Sequence, residues 1–175
     1  MKKHRKILMF IMLLIIASIT LPATMALADS HEPEDIVDTA IAADDFTVLV
    51  EAVQAAGLEE ALRGEGPFTV FAPTDEAFAD LLAELGLTKE ELLNSDDLAD
   101  ILLYHVLPVK VMSQDIVDDN ITSATTLQGS DVSIDVKWQR FAKWRKIFVN
   151  DARVITPDIE CSNGVIHVIN KVLIP

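Results

Sequence analysis

The fold of this 175-residue chain is decided by a stretch near its C-terminus, Asn163-Gly164-Val165-Ile166-His167-Val168-Ile169. An Asn-Gly pair favours a tight hairpin turn with positive backbone φ. The β-branched run that follows is typical of a strand buried on both faces. We therefore predict a turn at Asn163 and Gly164 followed by a central strand. Because apolar residues continue almost to Pro175, we also expect the chain to end within its own core, with no further domain.

The rest of the chain changes from a helical to a strand-like period along its length. Apolar spacing, with capping and stop residues, predicts helices between Asp44 and Gly57, around 58–62, from Thr74, from Thr88, and after the capping run Ser95-Asp96-Asp97. Short β-branched or alternating runs predict strands at 68–71, 109–111, 132–138, 147–149 and 154–155. Because helices come first and strands later, without a βαβ rhythm, we expect an α+β domain with a largely antiparallel sheet.

The N-terminus has the pattern of a secretory signal peptide. Basic residues between Lys2 and Lys6 precede an apolar run over 7–21 and the sequence Ala26-Leu27-Ala28. This run is shorter than the ~20 residues that span a bilayer, which favours cleavage after Ala28 over the alternative, an uncleaved membrane anchor. We predict a signal peptide over 1–28, a flexible leader over 29–35 and a single domain over 36–175. The mature protein is then secreted or held at the cell surface.

The chain is strongly acidic, with a formal net charge of -14. Residues 1–28 contain four Lys and Arg residues and no Asp or Glu, so their removal takes the net charge from -14 to -18. Phosphate groups are repelled by such a surface, and we therefore expect no nucleic-acid partner. A high negative charge mainly keeps a secreted protein soluble.

Two side chains are candidates for covalent modification. Cys161 is the only cysteine, so no intrachain disulfide forms. It is interpreted as a small buried apolar residue, or alternatively as the site of an intermolecular disulfide. Asn120 begins an Asn-Ile-Thr sequon and is a candidate glycosylation site.

No pattern in the sequence points to catalysis, a metal or a cofactor. There is no G-x-S-x-G motif and no glycine-rich phosphate loop. Pairs of carboxylates such as Asp96 and Asp97 lie where helix caps and turns are expected. The histidines have no ligand spacing. We predict that the protein is not an enzyme and binds no cofactor; a hydrolase is the weakest alternative.

Three motifs in register resemble the fasciclin-type domain family. They are Gly66-Pro67-Phe68-Thr69-Val70-Phe71-Ala72-Pro73-Thr74-Asp75-Glu76-Ala77-Phe78, Leu103-Tyr104-His105-Val106-Leu107-Pro108 and Asn163-Gly164-Val165-Ile166-His167-Val168-Ile169. The resemblance covers about 36–175. It implies a wedge of two packed, mostly antiparallel β-sheets with several helices in the N-terminal half, and a secreted or surface protein of adhesion and extracellular matrix, without enzymatic activity.

The motif residues Tyr104, His105, Asn163, Gly164 and His167 also have a direct physical interpretation. Both histidines fall on elements expected to be buried, where a hydrogen-bonded histidine is more common than a ligand or a catalyst. The ring of Tyr104 is expected to be buried with its hydroxyl satisfied. We therefore assign these five residues to the architecture of the domain.

The segment 137–146 departs from the family that the chain resembles, whose members usually have a plain hairpin turn at this place. Five of the ten Lys and Arg residues that follow residue 28 are concentrated there, with both tryptophans. The candidate partner-binding residues are Lys137, Trp138, Arg140, Phe141, Lys143, Trp144, Arg145 and Lys146. Aromatic rings with cations favour sugars, membrane interfaces or anionic groups. The alternative is a hairpin in which Trp138 and Trp144 pack across strands for stability alone.

These features predict an adhesion or interaction module that binds an extracellular protein or glycan. A cationic segment on an acidic body also favours a weak homo-oligomer. Membrane contact is left open, since each cation contributes at most ~1 kcal/mol near a membrane. The alternative function is an envelope ligand-binding or accessory protein, with a small-molecule or lipid pocket between helices and sheet.

Overall fold

The computed structural model describes residues 34–138 and 145–175, with Trp138 described by its backbone alone. Within these residues there are seven helices: α1 (Ile36–Ala42), α2 (Thr47–Ala55), α3 (Glu59–Leu62), α4 (Asp75–Leu85), α5 (Lys89–Leu93), α6 (Leu98–Tyr104) and α7 (Ser113–Asp118). There are seven strands: β1 (Phe68–Pro73), β2 (Val106–Leu107), β3 (Ser123–Thr125), β4 (Asp131–Trp138), β5 (Arg145–Val149), β6 (Ala152–Cys161) and β7 (Gly164–Ile169). All these helices precede β3, although β1 and β2 lie among them. The predicted signal peptide lies outside the described residues.

The strands form one hydrogen-bonded series in the order β2-β1-β7-β6-β5-β4-β3. Strands β1 and β7 are parallel, from Phe68 opposite Gly164 to Pro73 opposite Ile169. The other five pairs of neighbours are antiparallel. Every residue of β7 is buried, which confirms a central strand covered on both faces.

Two apolar clusters lie on the two faces of β1 and β7. On one face, Val70 and Val168 pack with apolar side chains of helices α1 to α6. On the other face, Phe71 and Ile169 pack with side chains of β4 and β5, among them Ile134. Since β4 and β5 are not hydrogen-bonded neighbours of β1 and β7, the series of strands folds over on itself. The α+β fasciclin-like wedge is confirmed, with its two packed layers made from one continuous series of strands.

Strand β6 is the place where the series changes direction. Its pairing with β7 shifts register between Val154 and Thr156 and again before Ile159. Asp158, within the second shift, has a φ of 59°. Such irregularities bend a strand and increase its twist. The carboxylate of Asp158 accepts hydrogen bonds from the backbone N–H of Ser113, at 2.7 Å, and from its hydroxyl, which attaches the bend to α7.

The turn before β7 differs from the predicted one. Neither Asn163 nor Gly164 has a positive φ. Gly164 is required for another reason: a Cβ there would lie under 3.0 Å from the carbonyl group of Phe68. The side chain of Asn163 accepts a hydrogen bond from the N–H of Ile36 at 3.0 Å and donates one to the carbonyl of Leu62 at 2.8 Å. The pair therefore allows a close approach of two strands and links distant segments.

The predicted strand at 109–111 is wrong, and the short strand lies earlier, at β2. The reason is that the side chain of Thr69, and not a neighbouring strand, provides the hydrogen bonds for the backbone of this segment. The hydroxyl of Thr69 donates to the carbonyl of Val109 at 2.6 Å and accepts from the N–H of Val111 at 2.9 Å. The backbone here is satisfied without a ladder.

Two helices, α1 and α7, have no counterpart in the sequence-based prediction. The N-cap of α1 is Asp35, whose carboxylate accepts from the N–H of Asp38 at 2.8 Å. The guanidinium of Arg63 donates to the carboxylates of Asp35 and Asp38, at 2.8 Å in each case. The carbonyl of Glu34 accepts from the N–H of Ser162 at 2.9 Å. Glu34 and Asp35 are therefore held against the domain, although the sequence placed them in a flexible leader.

The close approach at Gly164 predicts a large effect of a single methyl group. We expect Gly164→Ala to lower the free energy of unfolding by about 2 kcal/mol or more, because the carbonyl of Phe68 must move out of the β1–β7 ladder. Urea denaturation measures this change. The control is Gly86→Asn: Gly86 has a φ of 67° and open space around it, and asparagine tolerates that conformation. Equal effects of the two substitutions would contradict the role of Gly164.

Candidate functional site

His105 links two segments of the domain through hydrogen bonds of its two ring nitrogens. It is 2% exposed and lies at the C-terminal end of α6. Its Nδ1 is 2.7 Å from the carbonyl oxygen of Ile101, which can only accept, so Nδ1 carries the proton and donates. Its Nε2 accepts from the N–H of Leu173 at 2.9 Å. Burial lowers the pKa of His105 to about 4, and the neutral ring joins α6 to the C-terminal segment.

His167 is neutral in the opposite tautomer. Its Nε2 donates to the carbonyl oxygen of Val111 at 2.8 Å, and its Nδ1 accepts from the N–H of Asp158 at 3.2 Å. The ring stacks on Phe71, with 5.9 Å between ring centroids. Burial lowers the pKa of His167, although the carbonyl of Val111 and the carboxylate of Asp158 oppose that change. This histidine holds the bend of β6 and the segment before α7 against β7.

Tyr104 links two turns of the β-rich half. Its buried hydroxyl donates to the carbonyl of Asp131 at 3.2 Å and accepts from the side-chain amide of Asn150 at 3.1 Å. Asn150 has a φ of 53° and accepts from the N–H of Ser133 at 2.9 Å. The family motifs therefore contribute hydrogen bonds inside the domain, and Tyr104, His105 and His167 do not meet at an open cleft.

Cys161 is 7% exposed, at the end of β6. Its thiol donates to the hydroxyl of Thr39 at 3.4 Å. Burial raises the pKa of Cys161, which lowers the fraction of reactive thiolate. This environment favours the buried apolar residue over the intermolecular disulfide.

Asn120 lies in the turn that follows α7, with an exposed side chain and a φ of 51°. The turn is accessible to a modifying enzyme. Glycosylation of Asn120 stays a prediction.

The basic segment is described only at its two ends. Lys137 lies directly opposite Lys146 in the β4–β5 pair, and Trp138 lies opposite Arg145. The ammonium of Lys137 is 4.3 Å from the ring centroid of Phe148, a cation–π contact. The remaining candidate residues, Arg140, Phe141, Lys143 and Trp144, lie outside the described residues.

Arg153 joins this cationic surface and was not singled out by the sequence. It lies opposite Phe148 in the β5–β6 pair, and opposite residues in a pair share one face of a sheet. Since alternate residues along a strand also share a face, Lys137, Lys146, Phe148 and Arg153 all project from the outer face of the three strands, as does Asp135, which lies opposite Phe148. We call Lys137, Lys146, Phe148 and Arg153 the outer cationic face. This face is apparent only from the register of the β4–β5 and β5–β6 pairs.

The predicted pocket between helices and sheet is a small apolar cavity. It has a volume of about 60 Å³ and is lined by apolar side chains of α1, α2 and β1 together with His105. By comparison, an apolar cavity of about 150 Å³ accommodates benzene. The space in this structure is therefore too small for a lipid chain.

The described residues show no group of three or more histidine, cysteine, aspartate or glutamate side chains close enough to hold a metal ion. Over the same part of the chain, every helix is too short or too polar to cross a bilayer.

The buried histidines predict that acid destabilises the fold. A histidine in the unfolded chain titrates near pH 6.5, whereas His105 in the folded protein stays neutral down to about pH 4. Between these values the unfolded chain binds a proton that the folded chain does not. The free energy of unfolding therefore falls as the pH falls, by about 1.4 kcal/mol per pH unit from this residue, and His167 acts in the same direction. Urea denaturation at several pH values measures the slope.

Carboxylates with lowered pKa values, such as Asp38 beside Arg63, act in the same direction, so a control specific to histidine is needed. Proton NMR of the ring protons supplies it. We expect the resonance of His105 to stay constant through pH 6.5 in the folded protein, and that of His167 to titrate with a pKa below its ordinary value. A His105 resonance that titrates at its ordinary pKa would contradict the neutral, buried ring.

The environment of Cys161 predicts slow chemistry at its thiol. We expect iodoacetamide to react at least about tenfold more slowly with the native protein than with the protein in urea, because the thiol is covered and its pKa is raised. Mass spectrometry follows the reaction, with free glutathione as the control for the effect of urea. Fast labelling of the native protein, or a covalent dimer on a non-reducing gel, would support the intermolecular disulfide instead.

Comparison with known proteins agrees with this geometry. The model of the Fasciclin domain family matches residues 44–175. Protein sll1483 of Synechocystis sp. is 43% identical over 156 residues, which cover 87% of this chain and 80% of that protein. The transforming growth factor-beta-induced protein ig-h3 of Sus scrofa is 41% identical over 130 residues, which are 74% of this chain and 18% of that much longer protein.

The fold has a counterpart among solved structures. The FAS1 domain pair of the insect cell adhesion molecule Fasciclin I superposes with a TM-score of 0.67 and 19% identity, over 82% of this chain and 52% of that one. Fasciclin I is a cell adhesion molecule, and ig-h3 is a protein induced by transforming growth factor-beta. From its matched residues, its identity to relatives and its fold, the chain belongs to the fasciclin domain family.

Proposed function

We propose that the protein is a secreted or cell-surface adhesion module, which binds an extracellular protein or glycan through the end of its β4–β5 hairpin and performs no catalysis. The family supports an interaction module. The buried positions of Tyr104, His105 and His167 support it further, because these residues are engaged in internal hydrogen bonds. Binding is then a property of the exterior.

The observation that carries the proposal is the pairing of Lys137 with Lys146. Like charges directly opposite each other destabilise a sheet. The chain has 28 acidic residues, so a carboxylate opposite either lysine would be an ordinary solution. Proteins keep such locally unfavourable features mainly at functional sites. An anionic group of a partner would neutralise both ammonium groups and remove the cost.

The net negative charge of the domain does not prevent the hairpin from binding an anionic group. At physiological ionic strength the screening length is about 8 Å, so distant carboxylates contribute little to the field at the hairpin. The same surface suits a second copy of the chain, whose acidic residues are complementary to the cations, and this is our basis for a weak homo-oligomer. The signal peptide over 1–28, cleaved near Ala28, would deliver the domain to the place where such partners occur.

The partner-binding role predicts a loss of binding without a loss of stability. We expect Trp144→Ala/Arg145→Ala to weaken retention on immobilised extracellular proteins and anionic glycans from the source cells by about tenfold or more, since aromatic and Arg side chains dominate most interfaces. The melting temperature should change by only a few degrees. Surface plasmon resonance and thermal denaturation measure the two quantities.

The matched control is Lys89→Ala/Lys171→Ala. It removes two surface cations from ion pairs elsewhere, with Glu51 and Asp151. We expect it to bind as the unaltered protein does. If both double variants bind like the unaltered protein, the hairpin has no part in partner binding.

A further inference from the structure

Strands β5 and β6 separate soon after the turn that connects them. They pair through Val149 with Ala152 and through Phe148 with Arg153. Beyond these pairs β6 continues alongside β7, while the rest of β5 continues alongside β4. The separation leaves a cleft of about 390 Å³, which is lined by Arg145, Lys146, Ile147, Arg153, Val154, Ile155 and Pro157. We call it the β5–β6 cleft.

Two of the cations that line this cleft, Lys146 and Arg153, differ from others in the domain. Within 34–138 and 145–175, ion pairs with carboxylates are formed by Arg63, Lys89, Lys110 and Lys171. Lys137 lies on the ring of Phe148. In the same ranges, Lys146 and Arg153 make no ion pair with a carboxylate, and both line the cleft. In a chain with 28 acidic residues, such a pair of cations indicates a site for an external anionic group.

The walls of the cleft also suit a polypeptide backbone. A separated pair of strands presents two edges, and a strand edge is a template for a further strand. The apolar surface is provided by Ile155, which is 40% exposed, and by Pro157, which has no N–H to satisfy. The side chains of Ile147 and Val154 face the inner cluster beneath.

We propose that the β5–β6 cleft binds an extended acidic peptide segment, which adds as a strand between β5 and β6. Successive side chains of a strand point to opposite faces. Acidic residues at every second position reach Lys146 and Arg153 on the outer face. Valine or isoleucine at the alternate positions cover the half-buried side chain of Val154 on the inner face. This inference rests on the proposed interaction role and names the class of partner.

A peptide fits these observations better than an anionic glycan does. A glycan satisfies the two cations, but it has no backbone N–H and C=O groups in the spacing of a strand. It also offers no alternation of charged and apolar groups between the two faces. Strand addition uses all three features of the cleft: its edges, its cations and its apolar walls.

Fluorescence anisotropy with labelled peptides tests the proposal on the mature protein. The probe is an end-capped peptide of about eight residues in which glutamate alternates with valine. The first control has the same composition with four glutamates followed by four valines, and the second has lysine in place of glutamate. We expect the alternating acidic peptide to bind at least about tenfold more tightly than either control. N-methylation of its backbone should abolish binding, because strand addition needs the N–H groups.

Variants of the protein locate the site. We expect Lys146→Ala/Arg153→Ala to weaken binding of the alternating peptide by about tenfold or more, with an unchanged circular dichroism spectrum. Lys89→Ala/Lys171→Ala removes the same charge elsewhere and should leave binding within about twofold. Equal binding of the two acidic peptides, equal effects of the two double variants, or displacement of the peptide by heparin together with tighter heparin binding would overturn the proposal.

The outcome is distinguishable from that of the proposed function. If Trp144→Ala/Arg145→Ala loses the cellular partner while Lys146→Ala/Arg153→Ala has no effect on peptide binding, the adhesion role stands and the cleft proposal is wrong. If neither double variant changes any binding, both are wrong.

Discussion

The close contact between the β6–β7 turn and strand β1 is the constraint on which the domain depends. Gly164 faces the carbonyl group of Phe68 without a Cβ between them, so β7 and β1 can pair in parallel over their full length. The side chain of Asn163 binds the start of α1 and the end of α3 across the same turn. Both faces of the paired strands are then buried, one against the helices and one against β4 and β5. A single turn thus fixes the helical layer and both layers of strands relative to each other.

The two buried histidines extend this constraint to segments that lack regular structure. His105 fixes the C-terminal segment through Leu173, and His167 fixes the segment before α7 through Val111. Each uses one ring nitrogen as a donor and the other as an acceptor, which only a neutral imidazole can do. A charged ring would lose an acceptor inside an apolar core, and burial accordingly lowers both pKa values. The motifs that identify the family therefore describe how the domain is assembled, and they leave its surface free to differ among relatives.

Charge is distributed unevenly over that surface. The domain is acidic as a whole, and Arg63, Lys89, Lys110 and Lys171 are each paired with a neighbouring carboxylate. Lys137, Lys146 and Arg153 lie on β4, β5 and β6, where the two lysines oppose each other and Arg153 lies on the same face. The same three strands contain the cleft at which β5 leaves β6. The opposed lysines, the two cations without an ion pair and the diverging strands are the features from which we propose a binding role for this region.

The sequence by itself determined the elements whose causes are local. Helix caps at Thr74 and Thr88 act within three residues, and the alternation in β4 reflects a strand with one buried face, so the sequence predicted these elements correctly.

Contacts between distant residues were decided only by the tertiary structure. Asp75 caps α2 from another helix, although the sequence pointed to acids just before that helix. The hydroxyl of Thr69 removed the expected strand at 109–111. Arg153 was assigned to the candidate surface only because the strand register places it opposite Phe148. Periodicity and capping depend on neighbours in the chain, whereas hydrogen-bond partners and shared faces depend on which segments the fold brings together.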